Sequence, residues 1–111
     1  MVQNARIDDL KPWISSLGDG AIAVLSHKNG DMDTIGSATV LAAWIGSRAR
    51  ATGLHADKVS KRMLQRTGME FRWMDHRHPT FPRTLAGIIA VDTGGPSQVG
   101  IEMPGDIPMF V

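Results

Sequence analysis

Two short runs of mainly apolar residues, at 21–26 and 87–92, are the clearest pattern in the chain. Runs of this length are typical of strands in a parallel sheet, because helices cover both faces of such a sheet. At 6–17 and 35–52 apolar residues recur at helical spacing, which predicts two helices. Alternating strands and helices predict an α/β fold: a mostly parallel sheet with helices on both faces, in a Rossmann-like three-layer arrangement.

The two helical segments carry signals for where they begin and end. Pro12 lies inside the first segment, so this helix either kinks there or begins just before that residue. In the second segment Asp33 or Thr34 is the expected cap, and Gly53 is the expected end. The same spacing places Trp44 on a helix face that should belong to the core.

The stretch after the second helix fits two interpretations. A short strand at 56–60 followed by a helix at 61–66 is favoured, and a single helix ended by Gly68 is the alternative. Alternating polar and apolar residues predict a strand at 70–74. Residues 107–111 look like the start of a strand, whose uncovered edge would favour self-association into a homodimer.

The composition is that of one ordered domain spanning residues 1–111. The chain is 42% hydrophobic and 21% charged, and it is long enough for one core but not for two. A formal charge of +1 gives no overall field for nucleic acid or membranes, so any charged site must be local. The absence of cysteine excludes disulfides and thiol catalysis and fits the cytoplasm. No apolar stretch approaches ~18 residues, so a membrane span is not expected.

Ionisable side chains follow both apolar runs. His27, Asp31 and Asp33 come directly after the first run, and Asp92 ends the second. If the two strands are neighbours in a parallel sheet, these four side chains converge at one edge. Carboxylates brought together repel one another, and a divalent cation is the usual remedy. Oxygen ligands with one imidazole nitrogen suit manganese or magnesium better than copper, and zinc is an alternative.

Each of these residues also has a purely structural interpretation. Asp33 fits as a helix cap and Asp31 as a turn residue. His27 fits as a hydrogen-bonded surface group, and Asp92 as a cap of the loop that follows it. Taken one at a time, the structural interpretations are favoured, but their joint placement at two strand ends favours the metal site.

The order of residues around the first run resembles the first motif of the DHH phosphoesterase family. An apolar strand is followed by His-x-x-x-Asp-x-Asp-x-x-Gly-Ser at 27–37 and then by a helix rich in small residues. Ile-Ile-Ala-Val-Asp-Thr at 88–93 resembles the second motif, an apolar strand that ends in Asp-Thr. The family includes RecJ-type exonucleases, oligoribonucleases, manganese pyrophosphatases, exopolyphosphatases and cyclic-dinucleotide phosphodiesterases.

The resemblance implies ligand roles for these side chains. It assigns His27, Asp31 and Asp92 to one manganese ion, and Asp33 with a bridging Asp92 to a second. It implies a phosphoesterase that uses manganese, with magnesium as the alternative ion. The implied substrate is a phosphodiester, a short oligonucleotide or a phosphoanhydride.

The resemblance also implies that Gly36 and Ser37 bind phosphate. Gly36 and Ser37 are expected at the start of a helix, where backbone N–H groups without helical partners favour a phosphate. A small residue there also allows the phosphate to approach closely. For Gly36, close packing between helix and sheet is the alternative role.

The chain departs from the family pattern in two places. Gly30 stands where the family usually has proline, just before the first aspartate. The Asp-His-His motif that names the family is absent from the 111 residues, so the sequence resembles the amino-terminal part of a DHH protein. We therefore expect the isolated chain to be inactive. A non-catalytic module that binds a nucleotide or phosphate is the alternative.

Overall fold

The computed structural model describes residues 2–3, 7–28, 30–73, 85–91 and 107–110. The helices among these residues are α1 (Ile7–Ser16), α2 (Met32–Ile45) and α3 (Lys58–Thr67). The strands are β1 (Val2–Gln3), β2 (Ala21–Leu25), β3 (Ala49–Gly53), β4 (Phe71–Trp73), β5 (Leu85–Ala90) and β6 (Met109–Phe110).

The six strands form one sheet in the order β1-β6-β5-β2-β3-β4, and every pair in it is parallel. Strand β2 pairs on both sides, so that Leu25 lies opposite Thr52 of β3 and Ala90 of β5. Helices α2 and α3 provide the crossovers that parallel neighbours require. The predicted α/β fold is confirmed, and it is consistent with a Rossmann-like three-layer arrangement. Within the described residues, no helix is long and apolar enough to cross a membrane.

The core lies on the two faces of β2. Ile22 and Val24 belong to one cluster, which includes residues of α1 and α2. Ala23 and Leu25 alternate with them and belong to a second cluster, with residues of β5 and β6. All four side chains are buried, which is what a continuous apolar run predicts for a strand covered on both sides.

Helix α1 is anchored to the sheet by Trp13. Its indole lies against the ring of Phe110 with 5.3 Å between centroids, and both side chains are buried. Gly87 lies under this contact, where a Cβ atom would come within 3.0 Å of Trp13 and 2.6 Å of Leu17. The helix runs through Pro12, so the alternative of a helix that begins just before this residue is wrong.

The second helix is shorter than predicted. It ends at Ile45, and Gly46 follows with a φ of 112°, a conformation that favours glycine. Residues Ala49–Gly53, predicted as helix, form β3 instead, because pairing with β2 and β4 satisfies their backbone groups. The predicted end at Gly53 is therefore wrong, because the predicted helix combined α2 and β3.

The start and the buried face of α2 also differ from prediction. The cap is Asp31, not Asp33 or Thr34, because its carboxylate accepts the Thr34 N–H at 3.1 Å. Trp44 is 61% exposed, which makes its predicted core position wrong. The small side chains Ala38 and Ala42 belong to the core cluster instead, and Val40, like Trp44, is exposed on the outer side of α2.

The segment after β3 forms one helix, as the alternative interpretation had it. No strand forms at 56–60, since Asp57 caps α3 by accepting the Ser60 N–H at 2.8 Å. Gly68 ends this helix with a φ of 67°. Strand β4 lies within the predicted strand at 70–74.

The last described strand is not an uncovered edge. Strand β6 lies between β5 and β1, and Met109 and Phe110 are 5% and 2% exposed. The sequence contains no signal for β1, which is only two residues long. The predicted uncovered edge is therefore wrong for these residues. The homodimer was expected from that edge and has no support from these residues.

The cap of α3 predicts a pH dependence of stability. Hydrogen bonds from the backbone N–H and the hydroxyl of Ser60 hold the pKa of Asp57 below its ordinary value of 3.8. A carboxyl whose folded pKa is lowered stabilises the fold above its unfolded pKa, and this contribution is lost as pH falls through the folded pKa. Because asparagine caps as well as aspartate, Asp57→Asn removes the titration and keeps the cap.

We therefore expect the stability difference between wild type and Asp57→Asn to shrink as the pH falls below about 4. Urea unfolding of both proteins between about pH 7 and about pH 3 measures this difference. A gap that stays constant over the whole range would show that the charge of Asp57 contributes nothing.

Candidate functional site at the carboxyl edge of the sheet

The pairing of β2 with β5 defines the edge where the candidate site lies. From β2 the chain proceeds through β3 and β4 on one side, and β5 and β6 lie on the other. In open parallel sheets, ligands bind beyond the carboxyl ends of the strands where the strand order changes direction in this way. The two strands stay paired up to their ends, because the Val91 N–H donates to the Leu25 carbonyl at 3.0 Å.

Thr34 holds the loop that follows β2. Its hydroxyl oxygen accepts the backbone N–H of His27 at 2.7 Å, and its own N–H donates to Asp31 Oδ1 at 3.1 Å. The Thr34 side chain is fully buried, and both hydrogen bonds are partly buried. One buried residue thus fixes the backbone at the first predicted ligand and the carboxylate of the second.

Asp31 and Asp33 lie at the amino-terminal end of α2. Both are exposed, Asp31 as the cap and Asp33 in the first turn. Negative charge is favourable there because the helix dipole is positive at that end. Capping uses one oxygen of Asp31, whereas an ionised carboxylate has two oxygens with about four acceptor positions. A structural role and a ligand role are therefore compatible in this residue.

The backbone conformation of Gly30 explains why this position lacks the proline that the family pattern predicts. Its φ is 61°, which the ring of proline cannot adopt. A Cβ atom at Gly30 would overlap the backbone carbonyl of His55, so the loop after β2 and the loop after β3 touch through their main chains. The Gly30 carbonyl accepts the Asp57 N–H at 2.8 Å and the hydroxyl of buried Ser60 at 3.3 Å. These contacts connect the candidate site to the start of α3.

Gly36 and Ser37 do not lie at the start of α2, where they were predicted to bind phosphate. Because α2 begins at Met32, these two residues lie in its second turn, beyond the N–H groups without helical partners. Packing does not require Gly36 either, since no described atom lies within 4 Å of where its Cβ would be. Among the described residues nothing fills the space beside Gly36. The roles of Gly36 and Ser37 in binding phosphate stay predictions.

Asp92, the fourth predicted ligand, lies outside the described residues. The described side chains alone do not form a group of three or more His, Asp or Glu close enough for a metal ion. The structure brings together the strands that carry these residues, and convergence of His27, Asp31, Asp33 and Asp92 stays a prediction.

Comparison of the chain with protein-family models, curated proteins and solved structures found no match. The resemblance to DHH phosphoesterases therefore rests on the motif residues and their spacing.

The hydrogen bonds of Thr34 were not predicted, because its place in the sequence indicated only a helix cap. A threonine three positions after Asp31 is the spacing at which a cap meets its backbone partner, so this signal was present.

Contact between the two loops predicts the effect of a methyl group at Gly30. Gly30→Ala should destabilise the protein by more than about 2 kcal/mol, because alanine is strained at positive φ and its Cβ would collide with a backbone carbonyl. Gly68→Ala is the matched control: its φ of 67° is similar, but no described atom lies within 4 Å. The control should cost only about 1 kcal/mol.

Urea unfolding measures both variants against wild type. Equal losses at the two positions would mean that only the backbone conformation matters at Gly30, and that the two loops have room to separate.

Proposed function

We propose that this chain is a domain of a manganese-dependent phosphoesterase in the cytoplasm, with magnesium as the alternative ion, and that the domain is inactive by itself. Its substrate would be a phosphodiester, a short oligonucleotide or a phosphoanhydride. The observation that carries the proposal is the parallel pairing of β2 and β5 up to Val91. Because of this pairing, the loop that holds His27 and Asp31 starts at the same edge as the residue that precedes Asp92.

The donor set fits a hard divalent cation. The proposed ligands are His27, Asp31, Asp33 and Asp92, one imidazole and three carboxylates, which suit manganese and magnesium. Ions bound there would stabilise charge on phosphate oxygens and lower the pKa of an attacking water. The chain would support these ligands through Thr34, which bonds the His27 backbone and the Asp31 carboxylate, and through the contact of Gly30 with the loop after β3.

Electrostatics at the start of α2 supports a role for the cation. The helix dipole alone would attract a phosphate to this end. Asp31 and Asp33 add two negative charges at the same place, which would repel that phosphate. A cation held between these carboxylates and the substrate removes the conflict, and the open space beside Gly36 allows the phosphate to approach the helix.

Two equivalent helix caps provide a matched test of the metal site. Asp31 and Asp57 both have extended backbone, and both accept the N–H of the residue three positions later. Asparagine preserves such a cap but is a poorer ligand for a hard cation. We expect manganese at a hundredfold excess over its Kd to stabilise wild type by about 2.7 kcal/mol. Asp31→Asn should lose most of this gain, and Asp57→Asn should keep it.

Thermal unfolding with manganese or with EDTA measures the effect. A wild-type melting temperature that ignores manganese would count against the proposal, as would equal losses in the two variants. Stabilisation by phosphate or AMP in EDTA, with no added effect of manganese, would favour the non-catalytic binding module instead.

Gly36 provides a separate test, in which stability and ligand binding should change in opposite directions. Gly36→Ala should raise stability by about 0.5 to 1 kcal/mol, because alanine is the better helix former and its methyl group meets no described atom. The same methyl group should weaken the added stabilisation by phosphate in the presence of manganese.

Ala43→Gly, on the exposed side of the same helix, is the control. It should lower stability by a similar amount and leave the response to phosphate unchanged. If Gly36→Ala binds phosphate as wild type does, phosphate does not approach the helix at this position.

A further inference from the structure

Helix α3 concentrates positive charge on one side. Four of the twelve Lys and Arg residues and none of the eleven Asp and Glu residues lie in it, so the rest of the chain has a formal charge of −3. All four cations are exposed, and none of them forms an ion pair with a described residue. The cationic face of α3 consists of Lys58, Lys61, Arg62 and Arg66.

The spacing of these cations opposes the stability of the helix. Lys58, Arg62 and Arg66 follow one another at intervals of four residues, so like charges are neighbours along the helix surface. Lys58 also lies in the first turn, where the helix dipole disfavours a cation, and the acidic residue at that end is the cap, Asp57. A run of like charges that repel one another, on an otherwise negative protein, points to a ligand that neutralises it.

An exposed aromatic ring lies on β4, the strand that follows α3 in the chain. Phe71 of β4 packs in the cluster that contains Leu64, on the buried side of α3. The ring of Trp73 meets Phe71 edge-on at 4.9 Å between centroids, and Trp73 is 50% exposed. Cationic residues that contact a phosphate backbone, together with aromatic rings on which bases stack, are the features that bind single-stranded nucleic acid.

We propose that the cationic face of α3, together with Trp73 of β4, binds single-stranded nucleic acid through its phosphate backbone. The face is about 12 Å long from Lys58 to Arg66, at 1.5 Å per residue. Its amino-terminal end adjoins the candidate site, because the Asp57 N–H and the Ser60 hydroxyl both donate to the Gly30 carbonyl. A strand bound along α3 would therefore pass close to the loop that carries His27 and Asp31.

Fluorescence anisotropy with a labelled uridine oligonucleotide of about twelve residues tests this surface. The measurement is made in EDTA, so its result does not depend on the proposed metal site. Failure of the α3 surface can therefore be distinguished from failure of the proposed function. Wild type should bind with a strong salt dependence. Arg62→Gln with Arg66→Gln should weaken binding at low salt about tenfold or more and reduce the log–log salt slope by about 1.4.

The control is Lys11→Gln with Arg50→Gln, which removes the same charge from exposed positions outside α3. It should bind nearly as wild type does. The α3 variant should also melt at the same or a higher temperature, because like-charge repulsion is relieved. Trp73→Ala should weaken binding about tenfold without changing the salt slope.

Three results would overturn the proposal. The first is an oligonucleotide affinity that does not change in the α3 variant, and the second is an equal loss in the control. The third is binding of the cationic face to phosphatidylglycerol vesicles without binding to the oligonucleotide, which would make α3 a membrane-surface helix.

Discussion

Pairing of β2 with strands on both of its sides is the constraint on which the rest of this structure depends. A strand with neighbours on both sides and cores on both faces has no polar environment, which is why its sequence is an uninterrupted apolar run. Because all its neighbours are parallel, every loop that follows a strand emerges at the same edge. The loops after β2, β3 and β5, the first of which carries His27 and Asp31, therefore begin at that edge.

Burial along strands was the part of the fold that sequence could predict. The runs that became β2 and β5 are visible because burial on two faces leaves no room for polar residues. Strand β3 was missed because Ala49 continues the apolar spacing of α2, and only the three residues 46–48 separate the two elements. Pairing with β2, a long-range interaction, decides between helix and strand there, and no local pattern encodes it.

Sequence alone proposes ligands for the candidate site, which stay a prediction, and it gives little sign of the contacts that support the loop. His27, Asp31 and Asp33 stand out because ionisable side chains after an apolar strand are conspicuous. The support from Thr34 and the contact between Gly30 and His55 involve a hydroxyl and main-chain atoms, which leave little trace in composition. The cationic face of α3 was not apparent from the net charge, because acidic residues elsewhere in the chain bring that charge close to zero.

The three tryptophans occupy positions that make intrinsic fluorescence a selective reporter. Trp13 is 9% exposed and lies against Phe110, whereas Trp44 and Trp73 are 61% and 50% exposed. Since the last two are already largely hydrated in the folded state, the change in emission on unfolding arises mainly from Trp13. That signal follows the separation of α1 from the sheet at β6, while quenching by added iodide would monitor the surfaces of α2 and β4.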